Sequence, residues 1–416
     1  MRDSLGMYIS VPFCRAKCTY CNFASGVFAA DRMQAYVDRL CAEMHAARKD
    51  AAALGVSLAT RVDSIFLGGG TPSLLEAAPI RQMFDAVHEC FAVETAAEIT
   101  LECAPGQLAE ATLEELLRCG VNRVSFGVQS FVDAESRAVG RLHTRAMCLE
   151  EIVRIRASGI ANLNVDLIAG LPHQTEASWR ESLTVAIDSG VPHMSVYMLE
   201  VDDESRLGRE VLAAGERYGA DAVASEDESA ERYERGCETL KAAGLEQYEI
   251  SNFARAGFAS RHNVKYWRRQ PYLGFGLDAH SMLPTGLGTR AVRWANTSDM
   301  DRYLAAGGPF PMHIDAAREV NAIAPAQVFE EAMFLGLRMN EGVSPDALRA
   351  EFGNAPVDAA MLSMQDVLQA GLLQCEDGRL RLTARGRMAS NEVFSRLLIA
   401  DAPTVVPHEF VECISA

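Results

Sequence analysis

Six short runs of β-branched and apolar residues, each followed at some distance by an amphipathic segment, constrain this 416-residue chain more than any other feature. The runs are MYISV (7–11), VDSIFL (62–67), EITLEC (98–103), RVSFGV (123–128), NLNVDLI (162–168) and HMSVYML (193–199). Most are apolar throughout, as strands buried on both faces should be. Amphipathic segments occupy 30–54, 76–91, 110–119, 144–158 and 175–189, and the last run is followed at a distance by 222–243. Such alternation predicts an α/β chain with a parallel sheet and helical crossovers. Six units are too few for a closed eight-stranded barrel. The expectation is an open or partial (β/α)6 barrel, with a flat doubly wound sheet as the second choice.

The remainder of the chain reads differently. Segment 200–230 is acidic and irregular, a solvated loop leading into a helix. Region 245–285 is rich in aromatic residues, His, Asn and Gly, and around 286–327 the pattern weakens, with GGPFP marking a turn. Helices are predicted at about 327–340, 344–352 and 356–370, then a hairpin in LLQCEDGRLRLT and a last helix from about 384 to 398. This order suggests a small C-terminal helical, winged-helix-like module, whose balanced charge favours packing or interaction over DNA binding. The expected division is a core over 1–285, the module over 286–400 and a disordered tail over 401–416, where periodicity is lost.

Charge and apolar runs exclude several classes. The net charge of -17 argues against a general nucleic-acid surface, and an anionic ligand would need a local basic pocket. No apolar stretch of signal-peptide length opens the chain and no 18 apolar residues run together, so neither export nor a membrane span is expected, and the location expected is the cytoplasm. Of the eleven cysteines, Cys41, Cys90, Cys103, Cys119, Cys148, Cys237, Cys375 and Cys413 stand alone, as buried small hydrophobes do in a reducing compartment.

The other three form Cys14-x3-Cys18-x2-Cys21, directly after the first strand. Three thiolates within eight residues on a loop can grip one face of an iron–sulfur cube. A zinc site would need a remote fourth ligand, since the nearest histidine, His45, lies inside a predicted helix. A disulfide would leave one thiol over. Further polar residues cluster at strand ends: Gly68-Gly69-Gly70-Thr71-Pro72 after strand two, Glu102 at the end of strand three, Gln129 after strand four and Asp166 near the end of strand five. Ligand sites in parallel α/β folds gather at these carboxyl ends. A glycine triplet alone is a turn as readily as a ligand cradle, and each single polar residue is as readily a hydrogen-bonded strand end.

The cysteine spacing, with Tyr20 just before the third cysteine, is similar to the signature of the radical S-adenosylmethionine (SAM) superfamily. That resemblance implies a 4Fe-4S cluster held by Cys14, Cys18 and Cys21, with SAM chelating the open iron and cleaved by an electron to a 5′-deoxyadenosyl radical. Taken in order, ECAPG with Glu102, GVQSF with Gln129, GRLHT with Arg141 and NVDLIAGLP with Asp166 resemble the oxygen-independent coproporphyrinogen oxidase group and its HemW branch of haem chaperones, from about Tyr8 to 398. Carried over, Tyr8 approaches SAM from strand one, Gly69, Gly70 and Thr71 line the SAM site with Glu102, and Gln129, Arg141 and Asp166 follow. Glu200 stands where the oxidase has a SAM-contacting alanine, and Asp278 stands where the family usually has glycine, before Ala279 and His280.

The stretch SRHNVKYW adds a third constellation. His262 is similar to a haem-binding position of the HemW branch, Tyr266 and Trp267 offer rings, and Arg255, Arg261, Lys265, Arg268 and Arg269 offer cations for propionates. A lone histidine in a basic loop is more often an ordinary polar residue. The oxidase carries a fourth cysteine two residues after the third, where this chain has Phe23, and a long extension before its cysteine motif, where this chain has thirteen residues. Both differences match the HemW branch. The resemblance thus implies haem as ligand, a haem-acceptor protein as partner, and an electron donor such as flavodoxin or ferredoxin, with decarboxylation of coproporphyrinogen as the alternative and a zinc-binding regulator as a third reading.

Overall fold

A computed structural model describes residues 4–285, 290–305 and 318–398; the expected turn at GGPFP and the tail 401–416 lie outside them. The first half alternates as expected: β1 (Ser4–Val11), α1 (Ala30–Ala53), β2 (Arg61–Gly69), α2 (Ala77–Cys90), β3 (Ala92–Cys103), α3 (Glu110–Arg118), β4 (Arg123–Gln129), α4 (Asp133–Ala138), α5 (Arg145–Ala157), β5 (Asn162–Ala169), α6 (Glu176–Asp188) and β6 (His193–Met198). These six strands pair in parallel and in chain order. One side of each strand belongs to the main core, where Met7, Ile9, Val11, Ile65, Leu67, Leu101, Val124 and Phe126 are all buried. The alternate residues, among them Tyr8, Ser64, Phe66, Thr100, Glu102, Ser125 and Asp166, share the opposite face and line a lumen.

The segment read as an irregular acidic loop also holds a helix, α7 (Arg206–Leu212), which Ser205 caps through the backbone N–H of Gly208, before α8 (Glu226–Ala242). The isolated cap serine and short length hid it from periodicity. β7 (Glu246–Gln247) and β8 (Asn252–Ala254) close the β6 edge in antiparallel fashion, and α9 (Arg261–Trp267) follows. β9 (Tyr272–Phe275) joins β1 in parallel, and β10 (His280–Thr285), β11 (Arg290–Asn296) and, after α10 (Met300–Ala305), β12 (Arg318–Ile323) extend that side antiparallel. The result is a 12-stranded sheet that ends at β12 on one side and β7 on the other, an open barrel wall wider than six units.

This extension corrects the expected division at 285/286, which falls inside the β10–β11 pair. The weakening pattern after 286 is that of edge strands with one wet face. A second core begins with Phe329 on α11 (Pro325–Arg338) and takes in α12 (Pro345–Phe352), α13 (Asn354–Ser363), α14 (Gln365–Gln369), the β13–β14 hairpin (Leu373–Glu376 and Arg379–Leu382) and, after α15 (Ala384–Met388), α16 (Ser390–Ser395). The single last helix expected over 384–398 is two, broken at Ala389 with φ -105° and ψ 33°. The module is moored in part by Arg338, which reaches Glu249 at 2.7 Å and lies over the Trp267 ring at 4.2 Å, and in part by a bridge between Glu249 and Met339.

Candidate functional site: the cysteine loop and the barrel mouth

The three-cysteine loop is a closed excursion from the end of β1. Its neck is a bridge between Phe13 and Gly26, with Cys14 N–H donating to Gly26 O at 2.8 Å and Gly26 N–H to Pro12 O at 2.9 Å. The loop is tied down by distant elements: Thr19 N–H donates to Val139 O, Leu207 N–H of α7 donates to Thr19 O, and Asn22 reaches Asp202 at 3.1 Å. Cys14, Cys18 and Cys21 are free thiols and half-buried. Thr71 donates to Cys14 Sγ at 3.9 Å, Cys21 Sγ lies 3.9 Å from Ser25 Oγ, and Arg141 Nη1 donates to Cys18 Sγ at 3.4 Å. Burial pushes the Cys14 and Cys21 thiols up, and the nearby Cys18 adds to that rise. Among the described residues no three His, Cys, Asp or Glu converge on a point for one ion. A cubane needs no such convergence, because each thiolate takes a different iron.

The glycine motif sits where β2 leaves the sheet against β1. Gly70 donates to Val11 O at 3.0 Å, and a Cβ at Gly70 would meet the carbonyl carbon of Pro12 at 2.7 Å and Phe13 O at 2.8 Å. Only glycine lets the two backbones approach so closely. Gly69 takes φ +101°, and its N–H donates to Glu102 Oε2 at 3.1 Å. Glu102 is thereby drawn into the mouth of the lumen, where burial, reinforced by Asp166, raises its carboxyl to about 8. Asp166 is raised by burial too, opposed by hydrogen bonds: Asn164 donates to its Oδ1 at 2.6 Å and Ser125 to its Oδ2 at 3.1 Å. Ser125 and Asn164 escaped sequence reasoning, although strand alternation with Asp166 and Gly127 was a signal for both.

Gln129 ends β4 across a register irregularity, with φ +69°, a conformation few non-glycine residues take. Its Oε1 is buried and has no hydrogen-bond partner among the described residues, and the same holds for Arg141 Nε. Arg141 also donates to Gly127 O, and a Cβ at Gly127 would stand 3.2 Å from its Nη2. Tyr20 packs with Val139, Ile168 and Leu171, and burial, with Cys18 next, pushes its phenol well up. The structure thus brings Tyr20, Thr71 and Arg141 to the cysteine loop and Tyr8, Gly69, Glu102, Gln129 and Asp166 to the adjoining mouth. Glu200 lies just past β6 and is exposed. The orphaned Gln129 and Arg141 atoms, the backbone cradle at Gly69 and Gly70, and three thiols on one loop fit a cluster with an amino-acid ligand beside it.

The constellation around His262 is a different matter. His262 is fully buried; its Nδ1 lies 3.0 Å from Ser64 Oγ and its Nε2 2.9 Å from Tyr266 Oη, so neither nitrogen is open to iron in this conformation. Burial, aided by Lys265 and Arg123, lowers its pKa to about 3. The cations expected for propionates are mostly engaged: Lys265 pairs with Asp63 at 2.7 Å, Arg268 with Glu341 at 3.1 Å, Arg269 with Glu331 at 3.8 Å, and Arg261 donates to Ala96 O at 2.6 Å. Trp267 is buried under Arg338. The basic-loop reading is therefore corrected: α9 is a plug on the lumen side of the sheet, its first turn capped by Glu98, which accepts from the N–H groups of Arg261 and His262 at 3.0 Å each. Asp278 takes φ +58°, the left-handed region for which glycine is the default, and this explains the family's usual residue there.

Comparison with known proteins agrees with this geometry. The model for the Radical SAM superfamily matches residues 8–186, and that for the HemN C-terminal domain matches residues 323–389. The chain is 31% identical over 394 residues to the Heme chaperone HemW of Bacillus subtilis (strain 168), covering 94% of this chain and 98% of that protein. It is 30% identical over 394 residues to the Heme chaperone HemW of Lactococcus lactis, covering 95% and 97%. Among solved structures, coproporphyrinogen III oxidase (HemN) from Escherichia coli superposes with a TM-score of 0.77 at 21% identity, covering 95% of this chain and 90% of that one, which shows the shared fold. From a closed three-cysteine loop on an open parallel barrel to a relative matched along nearly its whole length, these findings agree, and the chain belongs to the HemW family of the radical SAM superfamily.

Proposed function

We propose that this chain binds haem and hands it to an acceptor protein, with a 4Fe-4S cluster and SAM at the barrel mouth governing that transfer. Membership of the superfamily brings the cluster and SAM. The observation that carries the haem reading is the 30–31% identity, along nearly the whole chain, to proteins named heme chaperones. Phe23 in the place of the oxidase's further cysteine supports it.

Cys14, Cys18 and Cys21 hold the cluster, and Thr71, Ser25 and Arg141 provide hydrogen bonds and charge around the sulfurs. When bound, the reduced cluster supplies the electron for cleaving SAM. Gly69, Gly70 and Glu102 receive the amino end of SAM, because a half-buried carboxyl beside a backbone cradle gains from a neighbouring cation. Tyr8, Gln129 and Asp166 complete the ligand wall, and Arg141 offers its guanidinium to a carboxylate. The electron donor is a flavodoxin or ferredoxin. No helix among the described residues is long and apolar enough to cross a membrane, and the cytoplasm is the proposed location.

The test is anaerobic reconstitution of the full chain, followed by addition of SAM and reductant with either haem or coproporphyrinogen. Haem binding, release to an apo-haemoprotein and no conversion of coproporphyrinogen are expected. Turnover to protoporphyrinogen would replace the chaperone reading with the oxidase one.

A further inference from the structure

Behind the cofactor mouth runs a chain of side chains that the ligand wall does not itself use. In the parallel register of β5 and β6, Asn164 stands opposite His193. Both are buried, whereas Asp166, two residues along the same face of β5, is half-buried. Asn164 Nδ2 donates to Asp166 Oδ1 at 2.6 Å and to Ser125 Oγ at 2.7 Å, and Ser125 in turn donates to Asp166 Oδ2 at 3.1 Å. Both carboxylate oxygens are thus held. On the other side, Asn164 Oδ1 lies 2.6 Å from His193 Nδ1, and His193 Nε2 lies 2.9 Å from Tyr248 Oη. Tyr248 Oη accepts from the backbone N–H of Ser260 at 3.2 Å.

The chemistry of the two ends fixes each proton between them. An ionised carboxylate only accepts, so Asn164 turns its amide nitrogen to Asp166 and its carbonyl oxygen to His193. That oxygen also only accepts, so His193 carries its proton on Nδ1. A backbone N–H only donates, so Tyr248 receives it on oxygen and gives its own hydroxyl proton to the bare Nε2. Burial, reinforced by Arg123, keeps the His193 ring neutral by lowering its pKa well below the ordinary range. The lumen face accepts apolar rings, as buried Phe66 on β2 shows, so filling this stretch does not require polar groups. A relay whose donors all run toward one half-buried carboxylate has another use: it sets the direction in which that carboxylate presents its remaining lone pairs.

We propose that His193 is a positioning residue for the cofactor wall: its Nδ1–H orients the Asn164 amide, which aims the Asp166 carboxylate at bound SAM. This rests on the reading above of Asp166 as part of the SAM wall. Tyr248 sets the tautomer and stands one step further away.

The experiment titrates SAM into the reduced, cluster-reconstituted full chain and follows the cluster's electron paramagnetic resonance signal. Asn and Gln at position 193 separate the two ring nitrogens, since an Asn amide nitrogen is as many bonds from Cβ as Nδ1, and a Gln one as many as Nε2. His193→Asn should bind SAM nearly as wild type does, and His193→Gln about tenfold more weakly, the worth of one hydrogen bond to a charged group. Asp166→Asn should weaken SAM at least as much. Adding His193→Gln to it should cost nothing further, because a positioning residue acts only through the group it positions. A purely structural histidine would instead give equal losses in both variants at 193 and additive losses in the double variant. In the cofactor-free chain, nitrogen NMR of isotope-labelled histidine should find the His193 proton on Nδ1. Wild-type affinity in His193→Gln, additive losses, or a proton on Nε2 overturns the positioning role and leaves the SAM site standing. Unchanged affinity in Asp166→Asn removes Asp166 from the wall and His193 with it, and failure of wild type to respond to SAM overturns the cofactor site and the inference together.

Discussion

Arg141 donates to Cys18 Sγ at 3.4 Å, so one thiol of the cysteine loop faces a fixed cation. The same side chain is held by Gly127 O and leaves Nε buried and unpartnered, a donor to spare for a ligand. Arg141→Met should therefore leave cluster assembly largely in place while weakening SAM binding by roughly 10–100-fold, the worth of one charge-assisted hydrogen bond. Titration of SAM into the reduced, reconstituted chain, read by the change in the cluster's electron paramagnetic resonance signal, checks this. Unchanged SAM affinity would remove Arg141 from the ligand wall.

Glu102 gives a pH-dependent signature in the protein without cofactors. Its carboxyl is raised from 4.5 to about 8 by burial, then by Asp166. A folded-state value above the unfolded one means that the contribution is fully present below about pH 4.5 and is lost as pH rises through about 8. Glu102→Gln keeps an acceptor for Gly69 N–H and cannot ionise. The variant should resist urea better than wild type at pH 8.5, by on the order of a few kcal/mol, with the difference vanishing near pH 5. Asp166 shifts in the same direction, so the slope should be reduced and not abolished. Identical pH profiles would show that the carboxyl is not held in a dry mouth.

His262 gives the opposite slope. Its value is lowered to about 3 by burial, then by Lys265 and Arg123, so its contribution is present above about pH 6.5 and lost as pH falls through about 3. His262→Gln forfeits the ring contacts with Phe66 and Tyr266, at 5.4 and 5.1 Å, and should cost about 1–3 kcal/mol of stability at neutral pH. It should also weaken acid sensitivity between pH 3 and 6. The Soret band of bound haem should keep its position, since both nitrogens already serve the fold. A shifted band in the variant would show that the plug opens and that the ring reaches iron.

What could be read before folding, and what could not, follows from the range of the signals. Strand–helix alternation and the positions of Cys14, Gly69, Glu102, Gln129 and Asp166 are local patterns; the first four lie at or just past strand ends, and Asp166 lies inside β5, three residues before its end. The antiparallel strands β10–β12 were missed because edge strands alternate weakly. The burial of His262 was not legible for a different reason: a basic, aromatic heptad looks the same whether it faces solvent or fills a lumen. Its environment comes from Ser64 and Glu98, which lie 198 and 164 residues away in the chain. Arg123 carried no signal at all, since an arginine at a strand start reads as a surface residue until neighbouring strands close over it.

Among the ties that moor the C-terminal module, the buried Arg338–Glu249 pair should matter most. Glu249 is fully buried, and Arg338 reaches it at 2.7 Å while also donating to Ser251 Oγ at 3.1 Å. Removing the cation leaves a buried carboxylate without its partner, and Arg338→Ala should cost about 3–5 kcal/mol. Glu249→Gln in the same chain should recover part of that loss, because the charge that needed pairing is gone. Limited proteolysis with fragment mapping checks whether cleavage rises between 323 and 345 in the single variant and falls back in the double.

Gly70→Ala tests whether the glycine motif shapes the cysteine loop or only turns the chain. A methyl group there would press on Pro12, Phe13 and Val11 backbone atoms at 2.7 to 2.8 Å, none of which can rotate away. Relief requires β1 and the neck of the loop to move apart, breaking the Gly70–Val11 and Thr71–Phe13 hydrogen bonds. The expected cost is about 2–4 kcal/mol, and the larger effect should be chemical, with reconstituted iron and sulfide falling well below wild type. Gly55→Ala is the control: its φ of +72° disfavours alanine where the φ of Gly70 does not, but a Cβ there meets nothing within 4 Å, so it should lose stability only modestly and load iron normally. If both variants load alike, the close approach of the two backbones has no bearing on the thiols.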